Sequence, residues 1–228
     1  MASDPDPVFL ITGASTGIGA ATARAATEAG YRVVLAARST DKIEALAEEL
    51  DGLAITCDVT ECEQQQNFVK TALDAYGRID VAFANAGFGG PRGFQKGDPE
   101  EWKAMVLTNV YGAALTIRAT MEPLKETKGH LLLTGSVAGR RALQGSLYSA
   151  TKWAVTGMGE SARQDFNDTG VRVTVIEPGM TDTPFFDSPP QIEALQSEDI
   201  ARAVMFAVQQ PPHMDVNEIL IRPTAQPN

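Results

Sequence analysis

Short apolar stretches rich in β-branched residues alternate along the chain with longer segments in which apolar residues recur at helical spacing. The short stretches have the length of buried strands, and the longer segments have the period of amphipathic helices. Seven strands are predicted, at residues 8–12, 31–36, 53–57, 79–84, 130–135, 171–176 and 219–222. Six helices are predicted, at residues 17–29, 40–50, 61–76, 99–127, 146–169 and 197–209. This alternation is typical of an α/β fold in which a doubly wound, mostly parallel seven-stranded sheet carries helices on both faces.

One domain accounts for the whole pattern, because no linker, repeat or low-complexity tract divides the chain. We expect a flexible arm at residues 1–7 and a single domain at residues 8–228. The least regular part of that domain, residues 180–196, contains three prolines and two adjacent phenylalanines. In an open α/β sheet, ligands bind beyond the carboxyl ends of the strands, so this segment is predicted to cover a substrate as a lid.

The balance of charges narrows the range of partners. The 228 residues include 19 Lys and Arg against 29 Asp and Glu, and the net charge of -10 argues against nucleic acid and anionic membrane surfaces. No apolar run reaches the roughly 20 residues of a membrane span, and residues 1–7 lack the basic start of an export signal. Two cysteines, Cys57 and Cys62, are too few for a disulfide scaffold of this size, which indicates a cytoplasmic protein.

A glycine-rich loop follows the first predicted strand directly and runs into the first predicted helix. Glycine permits a tight turn and lets backbone N–H groups approach a pyrophosphate, whose charge the positive end of the helix stabilises. Any strand-to-helix turn favours glycine, but this loop lies in the first such turn of the chain, where dinucleotide folds place it. The residues assigned to a cofactor are Gly13, Ser15, Thr16, Gly17, Ile18 and Gly19.

Tyr148 and Lys152 are four positions apart in a predicted helix, so their side chains share one face. A neighbouring ammonium favours the tyrosinate and is expected to lower a tyrosine pKa that is otherwise about 10. Tyr148 would then act as a general acid or base. Chance also produces a Tyr and a Lys at this spacing. Ser136, at the end of the fifth predicted strand, is placed to hydrogen-bond a substrate carbonyl and to stabilise the developing alkoxide with Tyr148.

Taken in order, these and further motifs resemble those of the short-chain dehydrogenase/reductase family from Val8 to about Pro223. The motifs are Thr12-Gly13-x-x-x-Gly17-x-Gly19, Asp58-Val59, Asn85-Ala86-Gly87, Asn109, Ser136, Tyr148 with Lys152, and Pro178-Gly179. The resemblance implies a Rossmann-type fold, a dinucleotide cofactor, and a carbonyl interconverted with an alcohol by hydride transfer. It also implies that Tyr148 exchanges the proton and that Lys152 holds the cofactor ribose.

The resemblance assigns roles to residues whose local pattern is ambiguous. It implies that Asn109 orients a water that links Lys152 to a proton relay, although a polar residue here also suits a bond to backbone. It implies that Asp58 and the backbone N–H of Val59 hold the adenine, although Asp58 also suits the cap of the next helix. Asn85, Ala86 and Gly87 are expected behind the adenosine ribose, with a purely structural turn as the alternative.

The segment after the sixth predicted strand is expected beside the nicotinamide. Pro178 and Gly179 belong to the family pattern there, and Thr181 and Thr183 are candidates for bonds to the carboxamide and a phosphate. Either threonine also suits the cap of a short helix. The residues expected around the substrate are Ser136, Leu143, Gln144, Met180, Phe185 and Phe186.

The end of the second predicted strand favours NADP over NAD. Ala37 stands where NAD-preferring sites usually have an acid, and Arg38 with Ser39 follows it. A guanidinium offers several donors in a planar fork, which suits a 2′-phosphate. A solvated Arg38 that pairs with Asp41 or Glu44 is the alternative.

One spacing departs from the family pattern. Ser136 precedes Tyr148 by twelve residues, whereas many members have thirteen, so the connecting loop must be tighter. Gly139 and Gly145 are expected to absorb the difference. Arg140 and Arg141 in that loop are expected in solvent, with contact to an acidic substrate as the alternative.

We therefore expect an NADP(H)-dependent carbonyl reductase or alcohol dehydrogenase that acts on a small molecule as a homodimer or homotetramer. The ending 216–226 resembles members that oxidise 3-hydroxy acids such as serine, which is one alternative. A sensor that binds NADP without turnover is another. No metal is expected, because His130 and His213 are far apart and the two cysteines lack further ligands at useful spacing.

Overall fold

A computed structural model describes residues 6–185 and 191–226. All seven strands form one sheet in the order β3-β2-β1-β4-β5-β6-β7, and every pair of neighbours is parallel. The predicted doubly wound α/β fold is confirmed. The strands are β1 Val8–Thr12, β2 Arg32–Ala37, β3 Leu53–Thr56, β4 Val81–Ala84, β5 His130–Thr134, β6 Arg172–Pro178 and β7 Glu218–Ile221.

Helices cover both faces of the sheet because adjacent strand residues point to opposite sides. The helices are α1 Gly17–Glu28, α2 Thr40–Leu50, α3 Cys62–Tyr76, α4 Pro99–Val106, α5 Ala113–Thr127, α6 Leu147–Asp165 and α7 Ser197–Val208. Leu10 of β1 packs with α3, α5 and α6 on one face, and Ile11 packs with α1, α2 and α7 on the other.

The strand order defines where a ligand binds. Phe9 of β1 pairs with Val33 of β2 on one side and with Val81 of β4 on the other, so the order of strands reverses at β1. The region beyond the carboxyl ends of β1 and β4 is therefore the place where open α/β sheets bind their ligands.

The predicted helix at 99–127 is wrong in one respect, because the six-residue π-helical segment Leu107–Gly112 separates α4 from α5. Gly112 packs against the loop after β3. A Cβ on Gly112 would lie 2.7 Å from Val59 Cγ2. The Nε2 of buried Gln65 lies 3.0 Å from the Gly112 carbonyl oxygen and 3.1 Å from that of Val59. These contacts across the fold stabilise an insertion that periodicity in the sequence does not reveal.

Two further findings concern membrane-spanning helices and the two cysteines. Within residues 6–185 and 191–226, the structure contains no helix that is both long and apolar enough to cross a membrane. Cys57 and Cys62 are free thiols, and burial raises the pKa of Cys57 to about 11. Cys57 is therefore an unreactive thiol at neutral pH.

Candidate active site

The glycine loop turns at the carboxyl end of β1. Gly13 and Gly17 adopt left-handed backbone conformations, with φ of 65° and 55°. A Cβ on Gly19 would lie 2.3 Å from the Gly13 carbonyl oxygen, so this position requires glycine. Within the described chain, no side chain caps α1 at Thr16 and no acid lies in its first turn. The first N–H groups of α1 thus face outward with the positive end of the helix, as an anion requires.

Thr12 and Asn85 fasten the ends of neighbouring strands. The Thr12 hydroxyl accepts from the backbone N–H groups of Asn85 and Ala86 at 3.1 and 3.2 Å. The Asn85 side chain donates to the Thr12 carbonyl oxygen at 3.1 Å and accepts from the Thr134 hydroxyl at 2.9 Å. Asn85, Ala86 and Gly87 therefore form a turn that is bonded to the ends of β1 and β5, and this turn lies directly beside Gly13.

The residues predicted to contact the adenine and the 2′-phosphate lie where β2 and β3 end. Arg38 and Ser39 are exposed after β2, and Val59 is buried after β3. The Oδ1 of Asp58 accepts from the N–H and hydroxyl of Thr60 at 3.0 and 2.8 Å, in a turn before α3, whose N-cap is Glu61 and has no side-chain cap bond within the described residues. Burial raises the pKa of Asp58, but the bonds from Thr60 and the charge of Arg38 lower it, and the net direction is downward. Asp58 is therefore a carboxylate close to the Arg38 guanidinium.

Three side chains meet at the carboxyl end of β5. Ser136 is buried and hydrogen-bonds the hydroxyl of Tyr148, which lies in the first turn of α6. Lys152 lies one turn later. Its Nζ donates to the Thr134 carbonyl oxygen at 2.7 Å and lies 5.6 Å from the centre of the Tyr148 ring. The structure thus brings together three of the four residues predicted for proton transfer.

The pKa values in this group differ from expectation. Burial raises the pKa of Tyr148 to about 12, and the hydrogen bond with Ser136 opposes the rise only in part. The predicted lowering of the Tyr148 pKa is therefore wrong, because burial is the largest influence on this hydroxyl and disfavours the charged phenolate. Burial also lowers the pKa of Lys152 to about 8. At neutral pH Tyr148 is a protonated phenol, the form that gives a proton to a substrate.

Asn109 lies buried in the π-helical segment. Its Oδ1 accepts from the Phe88 N–H at 3.0 Å, and its Nδ2 donates to the Phe88 carbonyl oxygen at 2.9 Å and the Thr151 hydroxyl at 3.1 Å. The amide therefore holds the segment after β4 against α6, which is the backbone-bonding alternative. A Cβ on Gly87 would lie 3.1 Å from Asn109 Oδ1 and 3.6 Å from Lys152 Nζ, so all three residues are adjacent.

The predicted substrate residues occupy different surroundings. Phe185 packs edge to face on Tyr148, with ring centres 5.6 Å apart. Leu143 is half-buried before α6, where its N–H donates to the Ser149 hydroxyl at 3.0 Å, and Gln144 is exposed. Phe186 lies outside the described residues.

The segment after β6 lies between the start of α1 and the C-terminal segment of the described chain. Thr183 lies over the start of α1, since a Cβ on Gly17 would be 3.4 Å from Thr183 Cβ. The Thr181 hydroxyl donates to the Gly179 carbonyl oxygen at 3.1 Å, and the Thr183 hydroxyl accepts from the Phe185 N–H at 3.3 Å. The N–H of half-buried Met180 donates to Gln226 Oε1 at 2.9 Å, so the C-terminal segment borders this loop.

Sequence patterns missed an ion pair behind the site. Arg140 was expected in solvent, but its Nε lies 2.7 and 2.8 Å from the two carboxylate oxygens of Glu177. The sequence does contain an indication of this pair, because the charged Glu177 directly follows the apolar residues of β6 and precedes Pro178. A carboxylate in a buried strand requires a partner.

The short loop between Ser136 and Tyr148 is accommodated by a 3-10 turn at Val137–Gly139 and by a left-handed Gly145 with φ of 64°. Across the described segments, His, Cys, Asp and Glu side chains form no group of three or more that could hold a metal.

Comparison with known proteins agrees with this geometry. A family model described as short chain dehydrogenase matches residues 7–193. Dehydrogenase/reductase SDR family member 11 of Gallus gallus is 35% identical over 96% of this chain and 96% of that protein. An alcohol dehydrogenase from the archaeon Thermococcus sibiricus, complexed with 5-hydroxy-NADP, is 33% identical with a TM-score of 0.92, covering 97% of this chain and 98% of that chain. A closed form of serine dehydrogenase complexed with NADP+ is 28% identical with a TM-score of 0.92, covering 97% and 96%.

Proposed function

The chain belongs to the short-chain dehydrogenase family and is an oxidoreductase, and from this premise we propose that it interconverts a small carbonyl compound and its alcohol with NADP(H). The observation that carries the proposal is the meeting of Ser136, Tyr148 and Lys152 at the carboxyl end of β5. The residues present fit a dinucleotide, because the backbone packs so closely at Gly19 that a Cβ has no room and the start of α1 is left open.

The glycine loop and Lys152 would hold a nicotinamide dinucleotide, which would supply the hydride for the carbonyl carbon. Tyr148 gives its phenolic proton to the carbonyl oxygen, and the Ser136 hydroxyl stabilises the same oxygen as it gains negative charge. Lys152 holds the cofactor ribose and favours the tyrosinate that proton donation leaves behind. The resemblance implies that Asn109 orients a water that links Lys152 to a proton relay, in addition to the bonds of its amide to Phe88 and Thr151. A protonated Tyr148 suits the reductive direction, whereas alcohol oxidation requires the tyrosinate.

Tyr148→Phe tests the acid directly. We expect turnover to fall by roughly 10²–10⁴-fold, the contribution typical of a general acid, while NADPH binding measured by fluorescence titration persists. Tyr31→Phe is the matched control, because Tyr31 lies after α1, where it packs edge to face on Phe9 and its N–H donates to the Ala26 carbonyl oxygen in the last turns of the helix. Retained turnover in Tyr148→Phe contradicts the assignment.

NADP is proposed over NAD because Arg38 lies exposed after Ala37, close enough to Asp58 to lower the pKa of that carboxylate. Arg38→Ala is expected to raise the KM for NADPH by roughly 10- to 100-fold, as the loss of a charge-assisted bond predicts, and to leave the KM for NADH unchanged. Arg118→Ala, which removes an exposed cation from α5, is the control. An equal or stronger preference of the unmodified protein for NADH contradicts the proposal.

A second candidate function is oxidation of a 3-hydroxy acid such as serine. It is supported by the bond from the Met180 N–H to Gln226 Oε1, which brings the serine-dehydrogenase-like ending against the segment after β6, and by the similarity to serine dehydrogenase. A panel of ketones, aldehydes, β-keto acids and 3-hydroxy acids, followed by NADPH absorbance, separates the two candidates. Firm NADPH binding without turnover across the panel would favour a cofactor sensor.

We also propose that the protein is a homodimer or homotetramer. Four apolar side chains on α4, the π-helical segment and α6 are exposed by 38 to 50%. They are Val106, Leu107, Tyr111 and Trp153. A second copy would cover these residues symmetrically. Trp153→Glu is expected to lower the mass of the assembly measured by sedimentation. Sedimentation of the unmodified protein as a monomer would contradict the proposed assembly.

A further inference from the structure

A buried ion pair lies behind the catalytic group. The Glu177 side chain is 1% exposed, and the Nε of Arg140 lies 2.7 and 2.8 Å from its two carboxylate oxygens. At the surface, the same guanidinium contacts the half-exposed carboxylate of Glu218. A carboxylate removed from water requires a close cation, so Glu177 fixes the position of Arg140.

The pair is connected to Ser136 on both sides. Arg140 follows the 3-10 turn that Ser136 begins, in which the Gly139 N–H donates to the Ser136 carbonyl oxygen at 2.8 Å. Glu177 precedes Pro178, whose carbonyl oxygen accepts from the Ser136 hydroxyl at 3.4 Å. A closed ring of contacts therefore runs from Ser136 through the turn to Arg140, across to Glu177, and back through Pro178.

The same carboxylate also contacts α6. The Thr156 hydroxyl lies 3.0 Å from Glu177 Oε1 and 3.2 Å from the Lys152 carbonyl oxygen. Thr156 lies one turn after Lys152 and two turns after Tyr148, so Glu177 reaches the helix that carries both residues. The turn and the helix also touch through their backbones, because a Cβ on Gly139 would lie 2.7 Å from the Lys152 carbonyl oxygen.

We propose that Arg140 and Glu177 are positioning residues whose ion pair sets the distance between Ser136, on the 3-10 turn, and Tyr148, on α6. The inference rests on the proposed function, in which both hydroxyls bond one substrate oxygen. Two donors that converge on one oxygen lose much of their effect when either shifts, because the rate depends steeply on the alignment of reacting groups. The ion pair acts through these two hydroxyls.

The test compares Arg140→Gln, Glu177→Gln and the double variant R140Q/E177Q. We expect each to lower kcat by about tenfold or more, the loss typical of a misplaced group, with the KM for NADPH within about twofold of normal. Each single variant leaves one group without its ionic partner and is expected to melt at a lower temperature. The double variant leaves neither charge, so it is expected to recover melting temperature but not kcat. Arg140→Lys keeps the charge and is expected to restore part of kcat.

The matched control is Arg172→Gln, at the opposite end of the same strand. Arg172 donates to the carbonyl oxygens of Ala207 and Val208 at the end of α7, at 3.0 and 2.9 Å. Its loss is expected to lower the melting temperature and leave kcat per folded molecule unchanged. Normal kcat in the double variant, or equal loss in Arg172→Gln, would overturn the inference.

Hydrogen exchange at residues 137–141 gives a readout that needs no substrate. Faster exchange there in Arg140→Gln, with unchanged exchange in α7, supports the anchoring of the turn, and unchanged exchange overturns it. If the unmodified protein reduces no compound in the panel, the proposed function fails, and the exchange measurement still decides whether the ion pair holds the turn.

Discussion

The two ends of the parallel sheet both bury polar side chains, with different consequences. At the amino end, His130 is buried, and burial lowers its pKa to about 3, so it is neutral at physiological pH. Its Nε2 contacts the Thr174 hydroxyl at 2.7 Å, and Thr174 donates in turn to the Val216 carbonyl oxygen. At the carboxyl end, Tyr148 and Lys152 also have shifted pKa values, but they lie together with Ser136 beyond the end of β5.

The comparison shows that a shifted pKa marks burial and does not by itself mark a functional site. Two charged groups at the amino end bond backbone atoms: Asp80 accepts from the Val8 N–H at 2.8 Å, and Arg172 donates to the Ala207 carbonyl oxygen at the end of α7. At the carboxyl end, three polar side chains converge. Substitutions at the two ends therefore separate burial that serves stability from burial that serves the reaction.

Lys152→Met at the carboxyl end is expected to have the largest effect. Turnover should fall by roughly 10²–10⁴-fold because the charge beside Tyr148 is lost. Stability should rise by on the order of 1–3 kcal/mol, because methionine avoids burying an ammonium whose pKa falls from 10.5 to about 8. Steady-state kinetics and urea denaturation measure the two effects. A less stable Lys152→Met protein would contradict this account of burial.

The Lys152 pKa of about 8 predicts a pH dependence. Reduction should slow above about pH 8, by up to tenfold for each pH unit, as Lys152 loses its proton. Stability should change in the opposite direction. Between pH 8 and 10.5 the unfolded chain binds more protons at Lys152 than the folded chain does, so the free energy of unfolding rises with pH in this range. Below pH 8 Lys152 is charged in both states, and the full cost of burying its ammonium lowers stability. A flat rate up to pH 10 would contradict the assignment.

Asp80→Ala tests the amino end, where we expect stability alone to change. The carboxylate of Asp80 bonds the Val8 N–H and pairs with Arg78, and its loss should cost roughly 1–3 kcal/mol of the free energy of unfolding. Urea denaturation measures this cost. Unchanged kcat per folded molecule is expected, and a tenfold loss of kcat would erase the distinction between the two ends.

Gly89→Ala at the carboxyl end is expected to have the smallest effect. A Cβ here would lie 2.7 Å from Phe185 Cζ, so the added methyl group should displace the ring from Tyr148. The ratio of kcat/KM for bulky to small carbonyl compounds should change by roughly fivefold, equivalent to about 1 kcal/mol. Gly90→Ala is the control, because a Cβ there would meet only Met105 Cε, at 3.5 Å. An equal shift in both variants would contradict a specific role for Phe185.

The pattern of apolar and polar residues along the chain predicted most of the strands and helices. The first strand and the second helix were predicted at 8–12 and 40–50, and the structure has Val8–Thr12 and Thr40–Leu50. Burial on both faces produces a continuous apolar run, and helical spacing produces an apolar stripe, so both are visible in consecutive residues. The glycine loop was visible for the same reason, because its backbone conformation is a property of the residues themselves.

Tertiary structure decided what depends on distance through space. The π-helical insertion is supported by Gln65, which lies 47 positions before Gly112, and Arg140 meets Glu177 37 positions away. Spacing along the chain placed Tyr148 beside Lys152, but loss of solvent determined that the Tyr148 pKa rises to about 12. The sequence by itself determined which residues form strands, helices and the glycine loop, because those preferences are local. Only the folded chain decided which charges lose water and which partner each one meets, because desolvation and Coulomb energy depend on neighbours distant in sequence.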